Sequence, residues 1–208
     1  MAEKTLSLQQ RMPLDILQVA LEQELQGIND DSRIEELLRT EYQGENRLKK
    51  ASRQIRTTIK MNPMHDYLIE HSEEVLSALK VKADRNLILS AIVAARYPFC
   101  YDVLVAMGKQ FRLQDVVSSD VLKRLIGAKY GANKSCENTL YCAVPQMVEA
   151  QLFSRPIAGE YAYAEPQAPT HKITWELWKE SYYANEPLTS RDDDGYLFHP
   201  YFRFIKDV

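Results

Sequence analysis

Apolar residues recur at three- and four-residue spacing along most of this chain, and such a pattern buries a continuous stripe only when the backbone is helical. Leu14, Ile16, Leu17, Ala20, Leu21 and Leu25 follow it until Gly27 and the Asn29-Asp30-Asp31 turn. Ser32-x-x-Glu35 then has the form of a capping box, in which hydroxyl and carboxylate satisfy the orphan amides of a helix start. Ile34, Leu37, Leu38 and Tyr42 carry that second helix to Gly44. The spacing predicts a third helix over Glu45 to Met61, ending before Asn62-Pro63, and a fourth from Pro63 to about Leu79.

Beyond this point the order of elements becomes informative. Asp84 reads as the N-cap of a helix over Arg85 to Arg96, and after the Tyr97-Pro98-Phe99 break another helix runs to about Gln110. Phe111 to Val117 reads as a short extended piece. Ser118 or Ser119 caps a helix with Val121, Leu122, Leu125 and Ile126 inward, ending at Gly127 or Gly131. Ser135 caps the next, whose apolar face is Cys136, Leu140, Ala143, Val144, Met147 and Val148, with Pro145 expected to kink it. Leu152-Phe153 and Tyr161 to Tyr163 flank a hairpin around Arg155. Helix, short strand, helix, turn, helix, hairpin is the order of a winged helix-turn-helix module, in which the third helix enters the DNA major groove. The fold class expected is therefore mainly α: a helical N-terminal subdomain (1–82), a winged-helix-like subdomain with a small β-hairpin (83–165), and an aromatic-rich extension packing on the core (166–208).

Charge is distributed unevenly beneath a formal net charge of −3. Residues 1–44 carry nine acids and four bases, whereas 45–60 carry Arg47, Lys49, Lys50, Arg53, Arg56 and Lys60 against Glu45 alone. Residues 109–134 carry Lys109, Arg112, Lys123, Arg124, Lys129 and Lys134 against Asp115 and Asp120. On a helical wheel Leu48, Ile55 and Ile59 fall on one side, and Lys49, Arg53, Arg56 and Lys60 gather on another. Cations so arranged can hold phosphates by releasing condensed counterions. They can equally form a solvated face paired with the acidic first helices. On the candidate recognition helix the outward positions are Lys134, Glu137, Asn138 and Tyr141, and an asparagine there can make a bidentate pair with adenine. Arg155 in the hairpin is either a minor-groove contact or simply exposed.

Catalytic patterns are missing. No Walker-type loop, G-x-S-x-G or H-E-x-x-H occurs. His65, His71, His171 and His199 are isolated, so neither a metal site nor a cofactor is expected. Asp192-Asp193-Asp194-Gly195 lacks the alternating register and downstream Glu of a calcium loop and reads as a solvated turn. Cys100, Cys136 and Cys142 cannot all pair, and no stretch approaches the roughly 18 apolar residues of a membrane span. The most apolar window, Leu87 to Met107, is interrupted by Arg96, Pro98 and Asp102. With no signal-peptide-like run in Met1 to Pro13, the expectation is a reduced, cytoplasmic protein that is not an enzyme. Trp175, Trp178, Tyr182, Tyr183, Tyr196, Phe198, Tyr201, Phe202 and Phe204 crowd the C-terminus, as core or as a surface for a partner protein.

Three segments carry a family resemblance. Glu45-Asn46-Arg47 through Ile59-Lys60, after an acidic helical start, is one. Ala94-Ala95-Arg96-Tyr97-Pro98-Phe99-Cys100-Tyr101-Asp102 with Gln110-Phe111 is another, and Ser135-Cys136-Glu137-Asn138-Thr139-Leu140 through Glu149-Ala150-Gln151-Leu152-Phe153 is the third. Across about residues 15 to 165 the chain resembles the BrxA type, the small helical accessory proteins of BREX phage-defence systems. Where that family's capped helix opens with several basic residues, this one has Glu137 and Asn138. The resemblance implies a non-enzymatic component that binds double-stranded DNA beside larger defence-complex proteins; a protein–protein adaptor without DNA contact is the alternative.

Overall fold

The computed structural model describes residues 6–191 and 194–206. Of the Asp192-Asp193-Asp194-Gly195 turn, the first two residues lie outside the described ones. The described chain is mainly helical. The first five helices are α1 (Leu14–Leu25), α2 (Asp31–Glu41), α3 (Glu45–Lys60), α4 (His65–Glu70) and α5 (Ser72–Ala78). After α6 (Lys82–Arg96) and α7 (Pro98–Gln110) come strand β1 (Val116–Ser118), α8 (Ser119–Tyr130) and α9 (Lys134–Glu149). Strands β2 (Phe153–Ser154) and β3 (Glu160–Tyr163) precede α10 (Lys172–Asn185) and two 3-10 turns, Asp194–Phe198 and Pro200–Phe204.

Local chemistry sets the helix ends, at several places differently from what the sequence pattern predicts. Asp30, not Ser32, caps α2: its carboxylate accepts from the Ser32 and Arg33 amides, and the Ser32 hydroxyl turns back to it. Asn133 rather than Ser135 caps α9, its side-chain oxygen accepting from the Cys136 amide at 3.0 Å. A carboxylate or amide oxygen two residues earlier outcompetes the hydroxyl in both cases. Ser118 caps α8 as expected, and Gly131, in the left-handed region at φ +88°, ends it. Leu125 is exposed rather than inward. The single helix expected over Pro63 to Leu79 is two, turning at His71, with α5 set against α10. The extended piece after Phe111 shrinks to β1, because Phe111 and Arg112 still complete the last turn of α7.

The sheet is antiparallel throughout, in the order β1-β3-β2. Val117 lies opposite Tyr161, and Phe153 opposite Tyr163, so the strand before α8 closes against the far arm of the hairpin after α9. Buried apolar side chains from Leu8 to Ile205 form one connected core, shared by all three segments of the chain. Its axis is α6, in which every residue from Asn86 to Ala95 is buried. Among the described residues no single helix is long and apolar enough to cross a membrane; α6 and α7 are apolar enough together, but bend by 119° and bury that surface inside the protein.

Two contacts seat the C-terminal segment on this axis. Asp84 is fully buried inside the first turns of α6 instead of capping it. Its carboxylate accepts from the Thr170 amide and hydroxyl, the His171 amide, and the Thr174 hydroxyl, the hydroxyls at 2.6 Å. Asp84 thus caps α10 from a distance: an anion at a helix N-terminus meets orphan amides and the positive end of the dipole. Burial opposes the charge, but the bonds from Thr170, Thr174 and His171 outweigh it and hold the carboxyl below its ordinary value of 3.8. At the other end the Tyr201 ring stacks on Trp178 at 4.6 Å, and its hydroxyl meets Ser181 at 2.5 Å. Gly108 of α7 lets this turn approach: a Cβ there would lie 2.1 Å from the Pro200 carbonyl oxygen.

Gly108→Ala should therefore lower stability by about 1–3 kcal/mol, the cost of overpacking against backbone. Thermal unfolding measures it, and an unchanged Tm would mean that the Pro200 turn yields freely. Acid should unfold the protein in two windows. Burial, Lys109 and Arg112 push His199 from 6.5 to about 4, so the unfolded chain binds a proton that the folded chain refuses. Stability from this group is complete above pH 6.5 and declines as pH falls to about 4. Asp84 contributes its share above 3.8 and loses it below that value. Urea unfolding of His199→Asn should flatten the first window, and Asp84→Asn the second.

Candidate nucleic-acid interface

Strand β1, helices α8 and α9 and the β2–β3 hairpin assemble the surface that carries half of the candidate residues, the other half lying on α3. The Ser119 amide, first in α8, donates to the Gly159 carbonyl at 2.7 Å and so fastens the hairpin turn to the start of the helix. Gly159 has φ +88°, a conformation that glycine adopts without strain. On α9, Lys134, Asn138 and Tyr141 are exposed, while Cys136, Leu140, Ala143 and Met147 are buried. Arg124 and Arg155 are exposed and Lys123 half-buried.

The cations differ in what already holds them. Lys123 lies 3.4 Å from Asp120 and Lys134 3.3 Å from Glu137, both pairs three residues apart on their own helix and solvent-exposed. Pairs so exposed to water add little to stability and exchange readily for a phosphate. Arg124 and Arg155 have no carboxylate within 4 Å among the described residues. Lys129 is different: its ammonium donates to Asp102 of α7, a nearly buried carboxylate that also accepts from the Tyr130 hydroxyl at 2.7 Å. The Tyr130 ring in turn meets Phe99 edge-on at 4.9 Å. Lys129 thereby ties α8 to α7.

Helix α3 presents its own cations beside this surface. Arg47, Lys49, Lys50 and Arg53 are exposed, and no carboxylate lies within 4 Å of them among the described residues. Arg56 is instead paired with Asp31, and Lys60 with Glu24 at 3.6 Å and Asn29 at 3.4 Å. The acidic helices α1 and α2 thus cover the C-terminal end of the stripe and leave its N-terminal end open. At that open end Arg47 lies within electrostatic reach of α9: burial raises the Cys142 thiol, and the Arg47 charge pulls it back down.

Arg11 and Tyr161, outside the expected set, belong here together with Tyr141. Arg11 donates to Glu149 at the end of α9 at 2.6 Å, and its carbonyl accepts from the Tyr42 hydroxyl. Tyr141 and Tyr161 line the space between α9 and the hairpin. Arg11 lies before α1 in a segment without periodicity, so no sequence signal singled it out; Tyr141 did stand among the outward positions of α9. Among the described residues no three His, Cys, Asp or Glu side chains converge to hold a metal ion, and Cys100, Cys136 and Cys142 are free thiols. No protein-family model, curated protein or solved structure matches this chain.

Lys129→Met should cost about 1–3 kcal/mol of stability by leaving the Asp102 charge nearly buried. Arg124→Met should stay within about 0.5 kcal/mol of wild type. Chemical denaturation of the two variants measures both, and equal stabilities would remove the distinction drawn between them.

Proposed function

We propose that this chain binds double-stranded DNA without catalysing a reaction, as an accessory component of a BREX-like phage-defence system. Its DNA-binding unit on this reading is a winged helix-turn-helix formed by α7, β1, α8, α9 and the hairpin, with α9 in the major groove and Arg155 on the wing. The observation that carries the reading is a set of exposed cations with no carboxylate within 4 Å among the described residues: Arg47, Lys49, Lys50 and Arg53 on α3, of which Arg47 lies within electrostatic reach of Cys142 on α9, with Arg124 on α8 and Arg155 in the hairpin. The pairing of β1 with β3, which places the hairpin against the start of α8, supports it further. Lys134 and Asn138 supply the base-facing positions; Lys129, held by the nearly buried Asp102, serves the fold, and Arg56 and Lys60, shared with Asp31 and Glu24, add less to phosphate contact than the unpaired cations. Phosphate contact then dominates, so affinity is strongly salt-dependent and sequence preference weak. Free thiols fit a reducing cytoplasm.

An adaptor role draws on a different observation. Most of the C-terminal aromatics are committed to the core, but Phe198 and Leu113 are largely exposed, and the Arg112 guanidinium donates to the Phe198 carbonyl, so the two lie near one another.

Salt-titrated binding to duplex DNA distinguishes the readings. Wild-type affinity should fall linearly in log salt, and Arg47→Glu/Lys49→Glu/Lys50→Glu/Arg53→Glu should flatten the slope by about 0.9 for each phosphate no longer neutralised. Arg56→Glu/Lys60→Glu should change binding much less. Failure of the folded wild type to bind at low salt would overturn the DNA reading and leave the adaptor.

A further inference from the structure

Between α8, α9 and the hairpin lies a cleft of about 420 Å³, within the roughly 300–1,000 Å³ of small-molecule sites. Its floor is apolar: Leu122 of α8 and Leu140, Val144 and Val148 of α9. Nothing in the described chain fills it, and a cleft so floored gains by burying a second apolar surface.

Its ionisable lining is unbalanced. Arg11, Lys123 and Arg155 line it against Glu137 and Glu149; Arg11 and Glu149 take each other, Glu137 is taken by Lys134 outside the lining, and Lys123 and Arg155 are left over. Glu149 accepts from Arg11 at 2.6 Å and from the Leu14 amide at 3.0 Å, and Glu137 faces Lys134. Arg155, Lys123 and Tyr161 line the same cleft, and the charges of both cations lower the Tyr161 hydroxyl against the upward push of burial. Asp120 touches Lys123 at 3.4 Å from outside the lining; Arg155 has no carboxylate within 4 Å among the described residues. Lys123 is thus shared with Asp120 and felt by Glu137, whereas Arg155 keeps its donors free of any close carboxylate, and the floor offers hydrocarbon.

We propose that this cleft binds a small amphipathic organic anion, its apolar body on the Leu122, Leu140, Val144 and Val148 floor and its anionic group held by Arg155, Lys123 and the Tyr161 hydroxyl. The guanidinium gives a carboxylate, sulfonate or phosphate a planar, bidentate partner. Binding by this route needs no DNA, so it stands or falls separately from the DNA-binding role.

The test uses the full chain and 8-anilinonaphthalene-1-sulfonate, a fluorescent aromatic anion, with neutral N-phenyl-1-naphthylamine beside it. Saturable binding of one sulfonate probe per chain is expected, about tenfold tighter than that of the neutral analogue. Arg155→Gln should remove most of that preference, Val148→Trp should fill the cleft and abolish binding, and Arg53→Gln on α3 should change nothing. The proposal is overturned by absence of saturable binding, by equal affinity for the two probes, or by indifference to Arg155→Gln. Sedimentation supplies one more outcome: a wild-type dimer that Val148→Trp makes monomeric would assign the cleft to a second copy of this chain instead. Because two of these readouts use wild type or a surface variant, a misfolded Val148→Trp does not protect the idea.

Discussion

A single carboxylate, that of Asp84, joins the two helices whose contact organises the core. It lies inside the first turns of α6 and accepts the first amides and two hydroxyls of the Thr170–Thr174 segment, so that α10 begins where α6 begins. Removing a carboxylate from water is costly, and here several short donors replace its hydration. With that end fixed, α10 runs along α6 and buries Ile173, Leu177 and Trp178. Trp178 then provides the ring on which Tyr201 stacks, and the Pro200 turn settles against α7 at Gly108. The position of α7 follows from contacts on both sides.

This matters for the candidate interface because α7 is the platform beneath it. Lys129 and Tyr130 of α8 both reach Asp102 of α7, and Phe111 at the end of α7 packs against Phe153 and Tyr163 of the sheet. Helix α9 is held at its far end by Arg11 and the Leu14 amide through Glu149. The exposed cations therefore project from elements whose buried sides are anchored in one shared core.

Much of the helical framework was legible from periodicity, since Leu14–Leu21, Leu48–Ile59 and Leu87–Ala95 repeat as only a helix buries. Caps were less legible: an Asp or Asn standing two residues ahead of a Ser presents two chemically valid choices, and only the path of the backbone decides between Asp30 and Ser32, or Asn133 and Ser135. Long-range partners left no local trace. Asp84 resembles an ordinary N-cap until Thr170 is placed beside it, and Gly108 an ordinary helical glycine until Pro200 arrives. The same holds for the basic residues. Arg56 and Arg53 look alike on a wheel, yet Asp31 of another helix takes one and leaves the other. The cleft exists only because three elements distant in sequence converge.

The separation of Asp84 from Thr174 by 90 residues gives the fold a built-in order of events during synthesis. At the ribosome's roughly 5–20 residues per second, α6 waits about 5–20 s for the partner that covers it. During that interval α1 and α3 are already present to cover part of its run from Leu87 to Ala95, but the side that α10 covers is open and the Asp84 carboxylate has none of its donors. Until those donors emerge only water can solvate that charge, because a carboxylate without hydrogen-bond partners is costly to bury. The group that locks the finished protein thus gains its partners only when almost the whole chain has been made.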